Sequence, residues 1–474
     1  MNRMDYDLTI IGGGSGGLTA ARLASSLGAR VLLIDKERLG GDCLYAGCVP
    51  SKSLLHVAQI VQQAKEAMHM GAISSHMDID MAKIVAYIQG VIERVHEAEH
   101  VYTDDVTIKF GRAAFKAPRI LALNDEEITS HAILLATGSH PAVPIVEGLA
   151  EVGYLTNEDV FSLVNLPSSI IVVGGGPVGV ELGQALARLG VQVTLLQKSE
   201  RILPREDPEV SATITSILQS EGITIATSTH MLQVGRSGNK KVVTARHNNQ
   251  FAIYEADEIL VAAGRQPNIE GLNLEAAGVV FNAKGIQVDK HLQTSTAHIF
   301  AIGDVIGEYL FTHVAAYQAG IAVRNALLPV GKKKVNYKVV PWCTFTDPEA
   351  ARIGLTAVEA EEQYQQVRVI TFPWADIDRA QTESAPTGFI KLVLAGKKEQ
   401  IVGVHMVGKH AGELLGEIGL AMQHNLTLSA ILGTIHAYPT FHTGLQQAAF
   451  EAYLSGTEIQ ANRKIVSMVL RCFT

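Results

Sequence analysis

The sequence predicts an α/β fold in three parts: two open parallel-sheet units and a C-terminal α+β unit. Three observations predict it. Two glycine turns, Gly12-Gly13-Gly14-Ser15-Gly16-Gly17 and Gly174-Gly175-Gly176-Pro177-Val178-Gly179, each follow a strand-like run and open a helical one. Their first glycines are 162 residues apart (174 − 12), and each precedes the end of its next strand by 23 residues (12 to 35, 174 to 197). The 474 residues, 47% of them hydrophobic, supply about three cores at roughly 150 residues per domain.

The elements follow in order. A strand is predicted over Asp7–Ile11, a helix over Leu18–Leu27 and a second strand over Arg30–Ile34, closing at Asp35. The order recurs with a strand at Ile170–Val173, a helix at Val180–Leu189 and a strand at Gln192–Leu196, closing at Gln197. This is an internal duplication of a βαβ unit, not a short repeat array. From Val339 the pattern changes. Strand-like runs Gly388–Leu394 and Ile401–Met406 flank a hairpin turn, Lys397-Lys398-Glu399. Leu414, Leu415, Ile418 and Met422 then recur at helical spacing, and another helix is predicted through Gly444–Leu454. Gly331-Lys332-Lys333-Lys334 reads as a solvated turn.

Composition excludes several classes. Lys and Arg number 39 against 47 Asp and Glu, a net charge of −8, which argues against a nucleic-acid binder with a basic face. A charged fraction of 18% is low for a disordered chain. Four cysteines exclude a disulfide scaffold and favour a reducing compartment. The start, Met1 to Ile10, lacks the basic and apolar regions of a signal peptide. The uncharged stretches 160–180 and 418–450 carry Pro, Gly, Asn and His and are not apolar enough to enter lipid. A soluble cytoplasmic protein with no membrane or nucleic-acid partner is expected.

Each glycine turn sits where dinucleotide chemistry needs it. The first glycine turns the chain out of the strand, the second admits a pyrophosphate to the helix N-terminus, and the third packs helix on strand. The two copies differ at the next strand end. Asp35 suits a ribose with a free 2′-hydroxyl. Gln197 carries no charge, and Lys198, Arg201 and Arg205 follow it. The second site therefore leans toward NADP over NAD, since a 2′-phosphate meets cations there and no anion.

Cys43 and Cys48 enclose Leu44-Tyr45-Ala46-Gly47. Zinc favours a two-residue spacing with further Cys or His, and only His56 lies near in sequence. In an undistorted helix residues five apart are roughly 8–9 Å apart at Cα, so a bridge needs a distorted first turn, which Gly47 can supply. A thiol at a helix N-terminus also gains thiolate character. The pair suits a reversible disulfide beside the first nucleotide site. Lys52, four residues after Cys48, shares its face if helical and could support negative charge there.

The run Gly40-Gly41-Asp42-Cys43 to Cys48-Val49-Pro50-Ser51-Lys52 resembles the active-site signature of the flavin-dependent pyridine nucleotide-disulfide oxidoreductases. That family includes dihydrolipoamide dehydrogenase, glutathione reductase and mercuric reductase. Leu135-Ala136-Thr137-Gly138 resembles its crossing into the nicotinamide domain, and Val261 to Arg265 with Pro267-Asn268 the crossing back. Ile299 to Asp304 resembles its second flavin motif, and Phe345 to Thr356 the start of its dimerisation domain. Leu203-Pro204-Arg205-Glu206-Asp207-Pro208 looks closest to mercuric-reductase-like members.

The resemblance implies two Rossmann-like dinucleotide-binding domains plus a C-terminal α+β dimerisation domain. An FAD-binding domain would cover 1–150 and 275–340, an NAD(P)-binding domain 151–274 and the dimerisation domain 341–474, in a homodimer. FAD would bind at Gly12, Gly14 and Gly17, with Asp35 on its ribose and Asp304 on its ribityl chain. Gly41, Ala113, Thr137 and Gly138 would line it. NADP or NAD would bind at Gly174, Gly176 and Gly179, with Gln197, Lys198, Gly264 and Arg265. Glu181 would pair with Lys52 near the flavin. Cys48 would be the flavin-proximal thiol and Cys43 the exchanging one. Hydride would pass from nicotinamide to flavin, and an electron pair onward to the Cys43–Cys48 disulfide and a small-molecule or metal-ion acceptor.

The chain departs from this pattern at its C-terminal end. Disulfide-reducing members use a His-Pro with a Glu five residues after the His, supplied across the dimer. Here Tyr438 holds the His position and Thr443 the Glu position. Tyr438 is a poor base near neutrality but a good hydrogen-bond donor. His436 and His442 are offset from the motif and read as surface or packing histidines. The resemblance to mercuric reductase implies a vicinal C-terminal cysteine pair, where this chain has Cys472 alone. Cys343 reads as buried packing.

Overall fold

The computed structural model describes residues 4–74, 77–100 and 105–472. The chain forms two compact units. One holds Met1–Gly174, Arg188–Gln192 and Met231–Asn336, the other Gly175–Ala187, Val193–His230 and Tyr337–Thr474.

In the first unit, strands Thr107–Phe110, Val31–Asp35, Tyr6–Ile11, Glu126–Leu135 and Ile299–Ala301 lie parallel in that order. Within the sheet, Val31 to Ile34, Ala132 to Leu135 and Ile299 to Ala301 are apolar on both faces, as a sheet covered on both sides requires. Leu8, Ile10, Leu33 and Leu134 face one core with Ala20, Ala24, Ala319 and Val323 from helices Ser15–Ser26 and Thr312–Leu327. Ile11, Ile34, Ile133 and Leu135 face the other with Phe115 and Leu121. Glu126–Leu135 changes partner along its length. Its first half pairs antiparallel with Ile120–Leu123 and its second parallel with Tyr6–Ile11. Ser139–Pro141 then pairs antiparallel with Arg265–Pro267, so the outgoing and returning crossings are stitched together. Ser169–Val173 lies parallel to Glu258–Val261.

Both predicted helices after the glycine turns start three residues earlier than their patterns imply, at Ser15 and Pro177. The last glycines of each turn, Gly16 and Gly17 in one and Gly179 in the other, lie in the first helical turn, and a reading that treats Gly as a helix breaker moves the start.

In the second unit, Gln192–Leu196 pairs parallel with Thr224–Ala226. Helix Pro208–Ser220 begins on Asp207, whose side chain accepts the Glu209 N–H, with Pro208 at the position where a missing N–H costs nothing. Strands Pro341–Thr344, Glu349–Gly354, Gln400–Gly408, Phe389–Ala395 and Val367–Pro373 form an antiparallel sheet in that order. Helices Ala411–Gln423 and Thr443–Leu454 bury Leu414, Ile418, Met422, Leu445 and Ala449 in its core. Trp374 is fully buried there, with its ring centroid 5.7 Å from Phe441. Helix Thr457–Cys472 ends the described chain, and the Cys472 side chain lies outside the described residues. Among the described residues no helix is long and apolar enough to cross a membrane.

Candidate active site

The first glycine turn is a cradle of backbone. Gly12 has φ +109°, and a Cβ there would lie 2.2 Å from the Ala136 carbonyl oxygen. No other residue type fits. Gly14 caps helix Ser15–Ser26 without a side-chain bond, which leaves the first N–H groups directed outward. Gly17 is buried on that helix. Gly13 donates its N–H to Asp35 Oδ2 at 2.7 Å, while Glu37 and Arg38 donate to Oδ1 at 3.0 and 3.2 Å. Gly40 and Gly41 lie against Gly14, with Gly40 N–H on the Gly13 carbonyl at 2.8 Å. This donor set and its bare backbone fit the pyrophosphate and ribose of FAD.

Cys43 sits on the five-residue helix Gly41–Tyr45, and Cys48 starts helix Cys48–His69. Between them the chain breaks at Ala46 and Gly47. A Cβ on Gly47 would lie 2.9 Å from the Asp42 carbonyl and 3.0 Å from Cys43 Cα, so this glycine lets the two turns close on each other. The bridge expected from the sequence is present as two thiols, Cys43 half-buried and Cys48 exposed. The two side chains are hydrogen-bonded. That bond, and then burial, push the Cys43 thiol well above its ordinary value. Cys48 Sγ also lies 3.7 Å from Thr312 Oγ1.

Three side chains from distant segments, and Arg38 from just upstream, anchor the segment Asp42 to Ala46. Arg265 Nη2 meets Asp42 Oδ2 at 2.9 Å. Asn157 Nδ2 donates to the Ala46 carbonyl at 2.8 Å. Tyr45 Oη lies 3.1 Å from His96 Nδ1, and the Arg38 guanidinium sits 3.6 Å from the centre of the Tyr45 ring. The sequence singled out none of Asp42, Asn157, His96 and Arg38. No local spacing signals the contacts of Asp42 with Arg265, of Ala46 with Asn157 or of Tyr45 with His96.

The residues of the two crossings are joined by reciprocal hydrogen bonds. Thr137 Oγ1 donates to the Asn268 carbonyl at 2.7 Å, and Asn268 Nδ2 donates back to the Thr137 carbonyl at 2.8 Å. Gly138, with φ +69°, accepts the Asn268 N–H at 2.9 Å. Ala113 is buried on strand Ala113–Ala117. Asp304 Oδ2 accepts from Ser139 Oγ at 2.6 Å, and burial pushes its carboxyl above the usual range. Gly264 accepts the Ala142 N–H. Arg265 begins the returning strand Arg265–Pro267. Its guanidinium is occupied by Asp42, Ser139 and Asp304, a placement the sequence did not anticipate for a nicotinamide-site residue.

The second turn repeats the first in detail. Gly174 has φ +116°, and its Cβ would lie 2.3 Å from the Ala262 carbonyl. Gly175 donates to Gln197 Oε1 at 2.8 Å. A Cβ on Gly176 would meet nothing within 4 Å, so this side of the turn is open. Gly179 is buried on helix Pro177–Arg188. Gln197 is buried, whereas Lys198 and Arg205 are exposed. Arg201 donates to the Pro204 and Glu206 carbonyls, and its buried Nε has no partner among the described residues. Glu181 is buried on the same helix and accepts the Phe345 N–H at 2.8 Å. Lys52 is half-buried, one turn after Cys48 on helix Cys48–His69. Glu181 and Lys52 belong to different units.

Tyr438 is 72% exposed and donates its Oη to Asp378 Oδ2 at 2.7 Å, and that carboxylate raises the phenol above its ordinary value. His436 and His442 are not simple surface or packing residues. Both meet Glu417 of helix Ala411–Gln423, through His436 Nε2 at 2.9 Å and His442 Nδ1 at 3.1 Å. Thr443, at the position of the expected acid, is buried and donates to the Thr440 carbonyl. Cys343 is half-buried rather than buried, with Sγ 3.9 Å from Glu349 Oε2.

Residues 6–320 match the pyridine nucleotide-disulphide oxidoreductase family, and residues 340–449 match that family's dimerisation domain. Mercuric reductase of Staphylococcus aureus is 36% identical over 452 residues, spanning 94% of this chain and 82% of its own length. A dihydrolipoyl dehydrogenase of Bacillus subtilis is 34% identical over 467 residues, spanning 94% of this chain and 98% of its own. Among solved structures, the HOCl-induced flavoprotein disulfide reductase RclA of Escherichia coli, as its Cu(II) complex, matches with a TM-score of 0.84 at 28% identity. That match covers 95% of this chain and 99% of that one.

Proposed function

The chain belongs to the pyridine nucleotide-disulphide oxidoreductase family, and from that membership we propose that it carries electrons from NADPH to the Cys43–Cys48 pair and on to an acceptor that the two sulfurs engage directly. The observation that carries this reading is the pair of hydrogen-bonded thiols closed by Gly47, next to the backbone cradle of Gly12, Gly14 and Gly41. FAD, when bound, takes a hydride equivalent from the nicotinamide and supplies an electron pair to the disulfide.

The chain's own residues do the rest. The Gly12–Gly17 turn would hold the pyrophosphate of FAD, Asp35 its ribose and Asp304 its ribityl chain. Cys48, exposed at the start of its helix, would be the flavin-proximal sulfur, and Cys43 the one that meets the acceptor. Lys52 supplies positive charge one turn from Cys48. The balance is simple. One NADPH and one proton open the Cys43–Cys48 bond to two thiols. An acceptor disulfide then takes the electron pair, the Cys43–Cys48 bond re-forms, and two product thiols leave with the protons. A soft metal ion is the other substrate class that two thiols take directly.

Two details refine the reading. Gln197 without charge, exposed Lys198 and Arg205, and the unsatisfied Nε of Arg201 favour NADPH over NADH. Tyr438 and Thr443 in place of a His–Glu dyad disfavour dihydrolipoamide as the partner, because Tyr438 offers a proton donor and no neutral base. The match to a dimerisation domain and the exposed Leu420, Ile435 and Phe450 support a homodimer. The thiol chemistry suits the cytoplasm.

Anaerobic titration of the FAD-loaded protein with NADPH tests this. A long-wavelength thiolate–flavin band that appears in the wild type and is lost in Cys48→Ser supports the reading. A band indifferent to Cys48 removes the cysteine assignment.

A further inference from the structure

We infer that Arg265 is a positioning residue for the Cys43–Cys48 pair. It acts through Asp42, pinning the short helix that carries Cys43 and so setting how readily the two sulfurs join. The inference rests on the reading that this pair cycles between dithiol and disulfide.

Helix Gly41–Tyr45 has five residues, a glycine N-cap with no side-chain bond, and a break at Ala46 and Gly47. A helix this short does not hold itself together, so its place depends on what grips it from outside. Asp42 lies in its first turn, next to Cys43. Its carboxylate is taken by Arg265 Nη2 at 2.9 Å, with the side chains 29% and 18% exposed. A pair this sheltered is worth more than one on the open surface.

The guanidinium is itself fixed before it reaches Asp42. Nε donates to Ser139 Oγ at 2.6 Å and Nη2 to the Ser139 carbonyl at 3.0 Å. Ser139 Oγ in turn donates to Asp304 Oδ2 at 2.6 Å. Ser139 and Arg265 stand on the two paired crossing strands, Ser139–Pro141 and Arg265–Pro267. Arg265 is therefore a rigid bracket from that strand pair to the Cys43 turn. Its planar fork makes these contacts together, which the single ammonium of a lysine cannot do.

Holding Cys43 in place raises its effective concentration about Cys48, and that concentration sets the equilibrium between dithiol and disulfide. The test equilibrates the full-length FAD-loaded chain with glutathione redox buffers, quenches with acid, alkylates, and scores the Cys43–Cys48 bridge by mass spectrometry. Arg265→Met and Asp42→Ala are each expected to lower the equilibrium constant for bridge formation about tenfold, which is about 30 mV for a two-electron couple. The double variant falls no further than Arg265→Met alone, because Asp42→Ala removes a contact that Arg265→Met already lacks. Arg265→Lys lies between. Wild-type behaviour in Asp42→Ala, or effects that add in the double variant, overturns the inference. If Arg265→Met does not fold, Asp42→Ala against wild type decides. A wild type that forms no Cys43–Cys48 bridge in any buffer overturns the reading beneath it as well, an outcome distinct from a silent Asp42→Ala.

Discussion

Gly175 donates its N–H to Gln197 Oε1 at 2.8 Å, the bond that Gly13 makes to Asp35 Oδ2 at 2.7 Å in the other glycine turn. The duplication keeps the acceptor that fixes the turn and drops its charge. The Gln197 amide adds a donor where Asp35 offers only lone pairs. Substitution Gln197→Glu keeps an acceptor for Gly175 and restores the anion. The KM for NADPH should rise about tenfold while the KM for NADH changes little. Steady-state kinetics with both coenzymes check this, and equal effects on the two contradict it.

The same bond pattern makes Gly12 the strictest position of the first turn. Gly12→Ala places a methyl carbon 2.2 Å from the Ala136 carbonyl on a backbone with φ +109°. The turn must open to admit it, which separates the helix N-terminus from the strand end. Purified Gly12→Ala should carry much less FAD per chain than wild type, read from its absorbance spectrum. Full flavin content in this variant would contradict the assignment of the cradle.

Much of this organisation is legible in the sequence because it is local. The βαβ order reads from apolar runs beside glycine clusters. The cysteine pair reads from its spacing and from Gly47. The contacts that place those groups are not local. Asp42 meets Arg265, Ala46 meets Asn157 and Tyr45 meets His96 only after the chain has crossed between sheets. Glu417 joins His436 to His442 across a helix and a loop, so two histidines that looked incidental share one carboxylate. The Arg265 side chain illustrates the limit. Its motif signals a nicotinamide-site residue, and no spacing signals its contact with Asp42 beside Cys43.

Tyr438 presents a hydroxyl that Asp378 holds in the protonated, donating form. Tyr438→Phe removes the donor and keeps the ring. Turnover with an acceptor should fall about tenfold, while flavin reduction by NADPH in a stopped-flow half-reaction stays unchanged. Slower flavin reduction in this variant would place Tyr438 outside the acceptor step.

His405 predicts a pH dependence of stability. It is fully buried on strand Gln400–Gly408, its Nε2 donates to the Leu355 carbonyl at 2.9 Å, and its Nδ1 has no partner among the described residues. Burial pushes the ring down to about 4, below its unfolded value of 6.5. The folded state therefore favours the neutral ring. That stability is present above pH 6.5 and is lost as pH falls from there toward 4, a span of about 3 kcal/mol at most. Urea unfolding of His405→Gln at several pH values should show a flatter acid limb than wild type. An unchanged limb contradicts the assignment.

The central claim is that Cys43 and Cys48 carry the electrons. The most direct measurement counts thiols. FAD-loaded protein is oxidised, freed of oxidant, and given one equivalent of NADPH without oxygen or acceptor. It is then alkylated and mapped by peptide. Two new thiols per chain are expected, on Cys43 and Cys48, in step with NADPH consumed. Consumption of NADPH with no new thiol at either position would contradict it.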